Sequence, residues 1–70
     1  MYGPDIKYTA EFLRGMSRED LVELEHEARV TKHEVKAQMR ALGGSFRGVH
    51  LPKKIKADIV RIKTIMGEGS

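Results

Sequence analysis

The chain contains no cysteine, and none of its apolar runs is long enough to cross a membrane. Without cysteine, neither a disulfide framework nor a thiolate metal site can stabilise the fold. A chain of 70 residues also buries only roughly 60% of its unfolded surface. No run approaches the ~20 apolar residues that span a bilayer, and the N-terminus lacks the basic-then-apolar pattern of a signal peptide. We therefore expect one small soluble, intracellular domain with a marginal core that relies on a partner.

Proline and glycine are absent between Gly15 and Gly43, so nothing there interrupts a helix. Ser17 is a typical N-cap residue, and Asp20 follows three positions later as in a capping box. Apolar positions then recur at the three-four spacing of a coiled-coil stripe. The apolar positions are Leu21, Leu24, Ala28, Val35 and Leu42, and Thr31 and Gln38 are polar breaks on the same stripe. The pattern predicts a long helix over about residues 18–42.

A second helix is predicted over about residues 53–66, after a glycine-rich loop from Gly43 to His50. Its core stripe, with steps of four, three and four, is Ile55, Ile59, Ile62 and Met66. A short connection favours adjacent antiparallel helices. The predicted fold is all-α: a single domain, 1–70, formed by an antiparallel two-helix hairpin with a short N-terminal helical turn capped by Thr9. We expect residues 1–8 to be a flexible arm and residues 67–70 a frayed tail.

Charge is distributed unevenly along the chain, whose formal net charge is +3. Residues 17–27 carry a net charge of −4, whereas residues 43–66 carry six bases against Asp58 and a net charge of +5. Lys53, Lys54 and Lys56 are almost consecutive and do not alternate with acids. Such a segment repels itself in isolation, and phosphates would relieve that repulsion. The alternative is an ordinary solvated basic surface.

No combination of residues indicates catalysis or a metal site. His26 and His33 are seven positions apart, or about 10 Å along a helix, which is too far to share one metal ion. Glu23 and His26 have the Glu-x-x-His spacing of di-iron bundles, but the second copy that such sites need is missing. The loop of residues 43–48 lacks the Gly-Lys-Ser/Thr end of a phosphate-binding loop. We therefore expect no enzyme activity, no cofactor, no metal site and no small-molecule substrate.

Phe46 and Arg47 are the two residues of that loop that could contact nucleic acid. An aromatic ring beside a guanidinium can stack on an unpaired base and touch a phosphate. Alternatively, Phe46 folds under the hairpin and closes its small core. The sequence leaves both interpretations open.

Several short motifs together match a known family. They are Leu13-Arg14, Ser17-x-Glu19-Asp20-Leu21, Val35-Lys36-x-Gln38, His50-Leu51-x-Lys53 and Asp58-Ile59-x-Arg61-Ile62-Lys63-Thr64. On these motifs the chain resembles the large-subunit ribosomal protein L-twenty-nine family, of the bacterial or organellar type, over about residues 12–66. The likeness implies an antiparallel two-helix hairpin, often with a short N-terminal helix, in agreement with the helix signals above.

The resemblance implies a non-catalytic structural constituent of the large ribosomal subunit. It would bind large-subunit rRNA near the peptide tunnel exit, beside large-subunit protein L-twenty-three and within reach of nascent-chain factors, in ribosomes of the cytoplasm or of an organelle. Matching positions imply rRNA contacts at Lys36, Gln38, His50, Lys53, Arg61, Lys63 and Thr64. Charge alone adds Arg47, Lys54 and Lys56 to the predicted rRNA-binding residues.

The chain departs from the family pattern at three places. Ala57 stands where a second base commonly precedes the aspartate, Val60 replaces a small alanine, and the loop lacks the usual polar turn with glutamines. The N-terminal arm is also longer than the family's usual start. A different class of function remains as the alternative: a coiled-coil adaptor whose long helix pairs with another chain through Leu21, Leu24, Ala28, Val35 and Leu42.

Overall fold

The computed structural model describes residues 2–45 and 50–68, and all secondary structure in these two ranges is helical. Helix α1 spans Ala10–Arg14, α2 spans Arg18–Leu42 and α3 spans Leu51–Glu68, with one 3-10 turn at Gly43–Ser45 between α2 and α3. Helices α2 and α3 form a hairpin, and α1 packs on α3. The predicted all-α hairpin with a short N-terminal helix is confirmed. Among the described helices, none is both long and apolar enough to cross a membrane.

Local signals account for the bounds of α1 and α2. The Ser17 hydroxyl accepts a hydrogen bond from the Asp20 N–H at 3.1 Å, and the Thr9 hydroxyl caps α1 in the same way. Gly43 ends α2 with a φ of 56°, a left-handed conformation that glycine adopts without strain. Both predicted helix starts, at Thr9 and Ser17, are thus explained by side chains that satisfy free N–H groups.

Helix α3 is longer than predicted at both ends. It begins at Leu51, one residue before Pro52, and the His50 carbonyl accepts a hydrogen bond from the Lys54 N–H at 3.2 Å. At the other end Glu68 is still helical, so the expected frayed tail needs correction at residues 67–68. Residues 69–70 lie outside the described residues.

The core lies between α2 and α3 and is closed at one end by Leu13 of α1. Its buried apolar side chains from the three helices are Leu13, Leu21, Leu24, Ala28, Val35, Ile55, Ile59, Ile62 and Ile65. The predicted stripes differ in two details. Ile65 is buried, whereas Met66 only packs against the edge of the core. Leu42, the last residue of α2, is 54% exposed and does not contribute to the core.

The N-terminal arm, residues 2–9, packs against the helices, whereas the sequence predicted a flexible arm over residues 1–8. Tyr2 and Tyr8 are only 7% and 2% exposed, and their rings stack at 5.3 Å between centroids. The arm turns at Gly3, whose carbonyl accepts a hydrogen bond from the Ile6 N–H. The physical reason for the correction is that a two-helix hairpin buries little apolar surface, and two tyrosine rings add a large buried area to it.

Candidate nucleic-acid interface

The two sides of α3 have different surroundings, although both carry basic residues. Lys54, Asp58 and Arg61 follow one another at steps of four and three residues and face the N-terminal arm; we call this side the arm flank. Lys56 and Lys63 lie on the opposite side, about 200° away around the helix axis at 100° per residue. Together with residues of α2 they form what we call the open flank.

The arm flank is built around the carboxylate of Asp58, which is 4% exposed. Its Oδ2 accepts hydrogen bonds from the Tyr2 hydroxyl at 2.5 Å and from Lys54 Nζ at 2.6 Å. Lys54 Nζ also donates to the Ile6 carbonyl at 2.7 Å. Burial and the hydrogen bond to Asp58 raise the pKa of the Tyr2 phenol. A buried carboxylate is tolerated here because a cation and a hydroxyl both bind it.

Further contacts hold the arm against both long helices. Lys54 Nζ lies 5.6 Å and 5.3 Å from the ring centroids of Tyr2 and Tyr8, within cation–π range. Arg61 donates to the Tyr8 carbonyl at 2.8 Å, and the Tyr2 N–H donates to Glu27 of α2 at 2.7 Å. Lys54 and Arg61, predicted to meet RNA, are therefore bonded within the chain.

The open flank is a groove of about 330 Å³ between α2 and α3. It is lined by Arg29, Lys32, His33, Lys56, Ile59, Val60 and Lys63. No acidic side chain is among them. Arg29 pairs with Glu25 at 2.8 Å, while in the part of the chain that the structure describes no ion pair forms with Lys32, Lys56 or Lys63. Three lysines and a histidine thus face the same groove without a carboxylate to balance them.

The remaining predicted residues are spread over other surfaces. Lys36 and Gln38 are exposed on α2, and His50 is exposed just before α3. Lys53 and Thr64 line a second groove, between α1 and α3. Arg47 and Phe46 lie outside the described residues. The predicted rRNA-binding residues therefore do not form one site.

Sequence reasoning missed the α2 side of the open flank, which is formed by Arg29, Lys32 and His33. Helical periodicity offered a usable signal. These three residues lie beside the buried positions Ala28 and Val35, so they must lie at the edge of the α2–α3 contact. Within residues 2–45 and 50–68, no group of three or more histidine and acidic side chains is placed to hold a metal ion.

Comparison with known proteins gave no match to any family model, curated protein or solved structure.

Proposed function

We propose that this protein is a structural, non-catalytic constituent of the large ribosomal subunit that binds rRNA through the open flank. The observation that carries the proposal is the convergence of Lys32, Lys56 and Lys63 on one groove, whose described lining residues include no carboxylate. The motifs shared with the L-twenty-nine family support the choice of rRNA near the tunnel exit, with large-subunit protein L-twenty-three as a neighbour.

The open flank suits the backbone of a folded RNA. Each of the three lysines is a flexible point charge, which positions a phosphate without reading sequence. Structured RNA offers closely spaced phosphates on a shape that proteins recognise largely through backbone contacts. Neutralising them releases condensed counterions, so binding should depend steeply on salt.

The other predicted contacts enter the proposal unequally. Lys36, Gln38, His50 and Lys53 have exposed side chains and stay proposed secondary contacts, although none of them lines the open flank. Lys54 and Arg61 contribute least to RNA binding, since carbonyl groups of the arm already accept hydrogen bonds from them.

The coiled-coil alternative depends on the apolar stripe of α2 being free to pair with another chain. Four of the five residues predicted to pair with another chain are buried within this chain: Leu21, Leu24, Ala28 and Val35. The fifth, Leu42, is exposed. A second chain could bind through the four buried residues only after the hairpin opened. We therefore base the proposal on the open flank.

The test measures the affinity of the folded protein for large-subunit rRNA fragments over a range of salt concentrations. The variant Lys56→Ala/Lys63→Ala should weaken binding by about tenfold and lower the salt slope by up to ~0.9 per lost contact. The control Lys7→Ala/Arg18→Ala removes the same charge from exposed positions outside the groove. Equal effects of the two variants, or binding that does not respond to salt, would contradict the proposal.

A further inference from the structure

A second groove, of about 630 Å³, runs between α1 and α3, and no residue of α2 lines it. Its floor is apolar and is formed by Ala10, Ala57, Val60 and Ile65. The groove is open because α1 has only 5 residues and cannot cover the 18 residues of α3. The side of α3 that faces away from the core is thus left with a shallow apolar channel.

Basic side chains border this groove. Arg14, Lys53, Lys56 and Arg61 line it, and Glu68 is the one acidic residue among its lining side chains. Glu68 is already paired, because the Arg14 guanidinium donates two hydrogen bonds to its carboxylate at 2.9 Å and 3.0 Å. The electrostatic character of the border is therefore positive.

We propose that the groove between α1 and α3 docks an acidic amphipathic helix of another protein. The small side chains of Ala10 and Ala57 allow the backbone of a helix to approach closely, and its apolar face would cover Val60. Glutamates beside the apolar face of such a helix would meet Lys53 and Lys56. Among the described residues that line the groove there is no aromatic ring on which a base could stack, which favours a polypeptide over an unpaired nucleotide.

This docking site adjoins the proposed RNA surface, and Lys53, an exposed residue with a predicted RNA contact, lies at its border. The two grooves share only Lys56 and Val60, which form the ridge between them. Ala57 and Thr64 line the α1–α3 groove alone, and both are exposed. A change at either position therefore tests the docking site without altering the open flank or the core.

The probe is a synthetic, covalently stapled helix with leucines on one face and glutamates along both borders of that face. Fluorescence anisotropy should show saturable binding, and Ala57→Glu should weaken it at least about tenfold. Thr64→Glu should act in the same direction and gives a second variant if Ala57→Glu perturbs the fold. Val22→Glu is the control, since Val22 is 52% exposed and belongs to a depression on α2.

Three results would overturn the inference: absence of saturable binding, equal weakening by Val22→Glu, or equal binding of a peptide in which lysines replace the glutamates. A fourth would assign the groove to nucleic acid: Ala57→Glu weakens rRNA binding more than Val22→Glu does and leaves the peptide unaffected. The inference is independent of the proposed function. If the peptide behaves as expected and rRNA does not bind, the docking site stands and the ribosomal proposal fails.

Discussion

The arm flank and the open flank of α3 differ in whether their basic side chains are bonded within the chain. On the arm flank, Lys54 and Arg61 are bonded to a carboxylate and to backbone carbonyls of the same chain. On the open flank, Lys56 and Lys63 face a groove in which the described lining residues include no carboxylate. Lys54 and Lys56 are only two positions apart in sequence, yet a helix places them on opposite sides. Charge density along a sequence therefore overstates the charge available to a partner.

Loss of a contact on the arm flank should lower the free energy of unfolding more than loss of a contact on the open flank. A buried carboxylate is strongly unfavourable unless its partners remain in place. Among the described residues, every buried side-chain nitrogen or oxygen has a hydrogen-bond partner. The arm therefore belongs to the folded domain, and its removal would leave Asp58 without the Tyr2 hydroxyl. The open flank carries no such internal constraint.

The largest effect is expected from Asp58→Ala on the arm flank. The change leaves Lys54 without its anion and Tyr2 without its acceptor, so the free energy of unfolding should fall by roughly 3 kcal/mol. Urea unfolding followed by circular dichroism measures it. The control is Lys63→Ala on the same helix, which should change stability by less than about 0.5 kcal/mol. Similar losses in both variants would mean that the flanks do not differ.

The next largest effect is expected from Lys32→Glu on the open flank. A carboxylate in that groove would pair with Lys56 or Lys63 and repel phosphate, so rRNA affinity at low salt should fall by more than about tenfold. The free energy of unfolding should stay within about 0.5 kcal/mol of the wild-type value. Filter binding and urea unfolding give the two readouts. Arg18→Glu makes the same change of charge at the start of α2, and a comparable loss of affinity there would argue against a localised site.

A smaller effect is expected from Tyr2→Phe, which removes one hydrogen bond from Asp58. At neutral pH the cost should be about 1 kcal/mol. Because burial and the hydrogen bond to Asp58 raise the pKa of Tyr2, the folded chain holds the phenolic proton to higher pH than the unfolded chain. This contribution is complete below the unfolded tyrosine pKa of ~10 and is lost as the pH rises above that value.

Unfolding curves of the wild type and Tyr2→Phe, measured from neutral pH to above pH ~10, isolate this contribution because the two proteins differ only in the Tyr2 hydroxyl. The difference in stability between the two proteins should shrink as the pH rises. If the difference in the free energy of unfolding stays constant over this range, the pKa of Tyr2 is not raised in the folded state.

The sequence predicts which residues of α3 lie on each flank, but it does not predict that the N-terminal arm covers one of the flanks. Ile55, Ile59 and Ile62 fix the core side of α3, and helical geometry then places Lys54 and Lys56 on opposite sides. Local caps likewise predict the start of α2 at Arg18. The position of the arm has no comparable signal, because the Tyr2–Asp58 hydrogen bond joins residues 56 positions apart. Contacts of such long range depend on the assembled helices and not on any local pattern.

The open flank illustrates the same limit at shorter range. The motifs that carry the family resemblance do not include Lys32 or His33. Motifs matched along a sequence do not indicate which residues of α2 lie across the groove from α3. Once the antiparallel pairing of α2 and α3 is known, the position of Lys32 beside the buried Ala28 and Val35 places it at the edge of the contact. Periodicity can thus place Lys32 at this edge of α2, whereas the residues of α3 that lie across the groove depend on the register of the two helices, which capping and periodicity do not supply.

The smallest effect is expected from Glu68→Gln, which removes the ion pair that joins α1 to the end of α3. Hydrogen bonding to Arg14 lowers the pKa of Glu68, so the folded state gains from its ionised form above the unfolded pKa and loses that gain as the pH falls. Both side chains are well exposed, and solvent screens the pair. Stability at neutral pH should therefore change far less than in Asp58→Ala, and 1 M salt should abolish the difference between Glu68→Gln and the wild type. A salt-insensitive loss approaching that of Asp58→Ala would mean that the end of α3, and not only the arm flank, holds the N-terminal region in place.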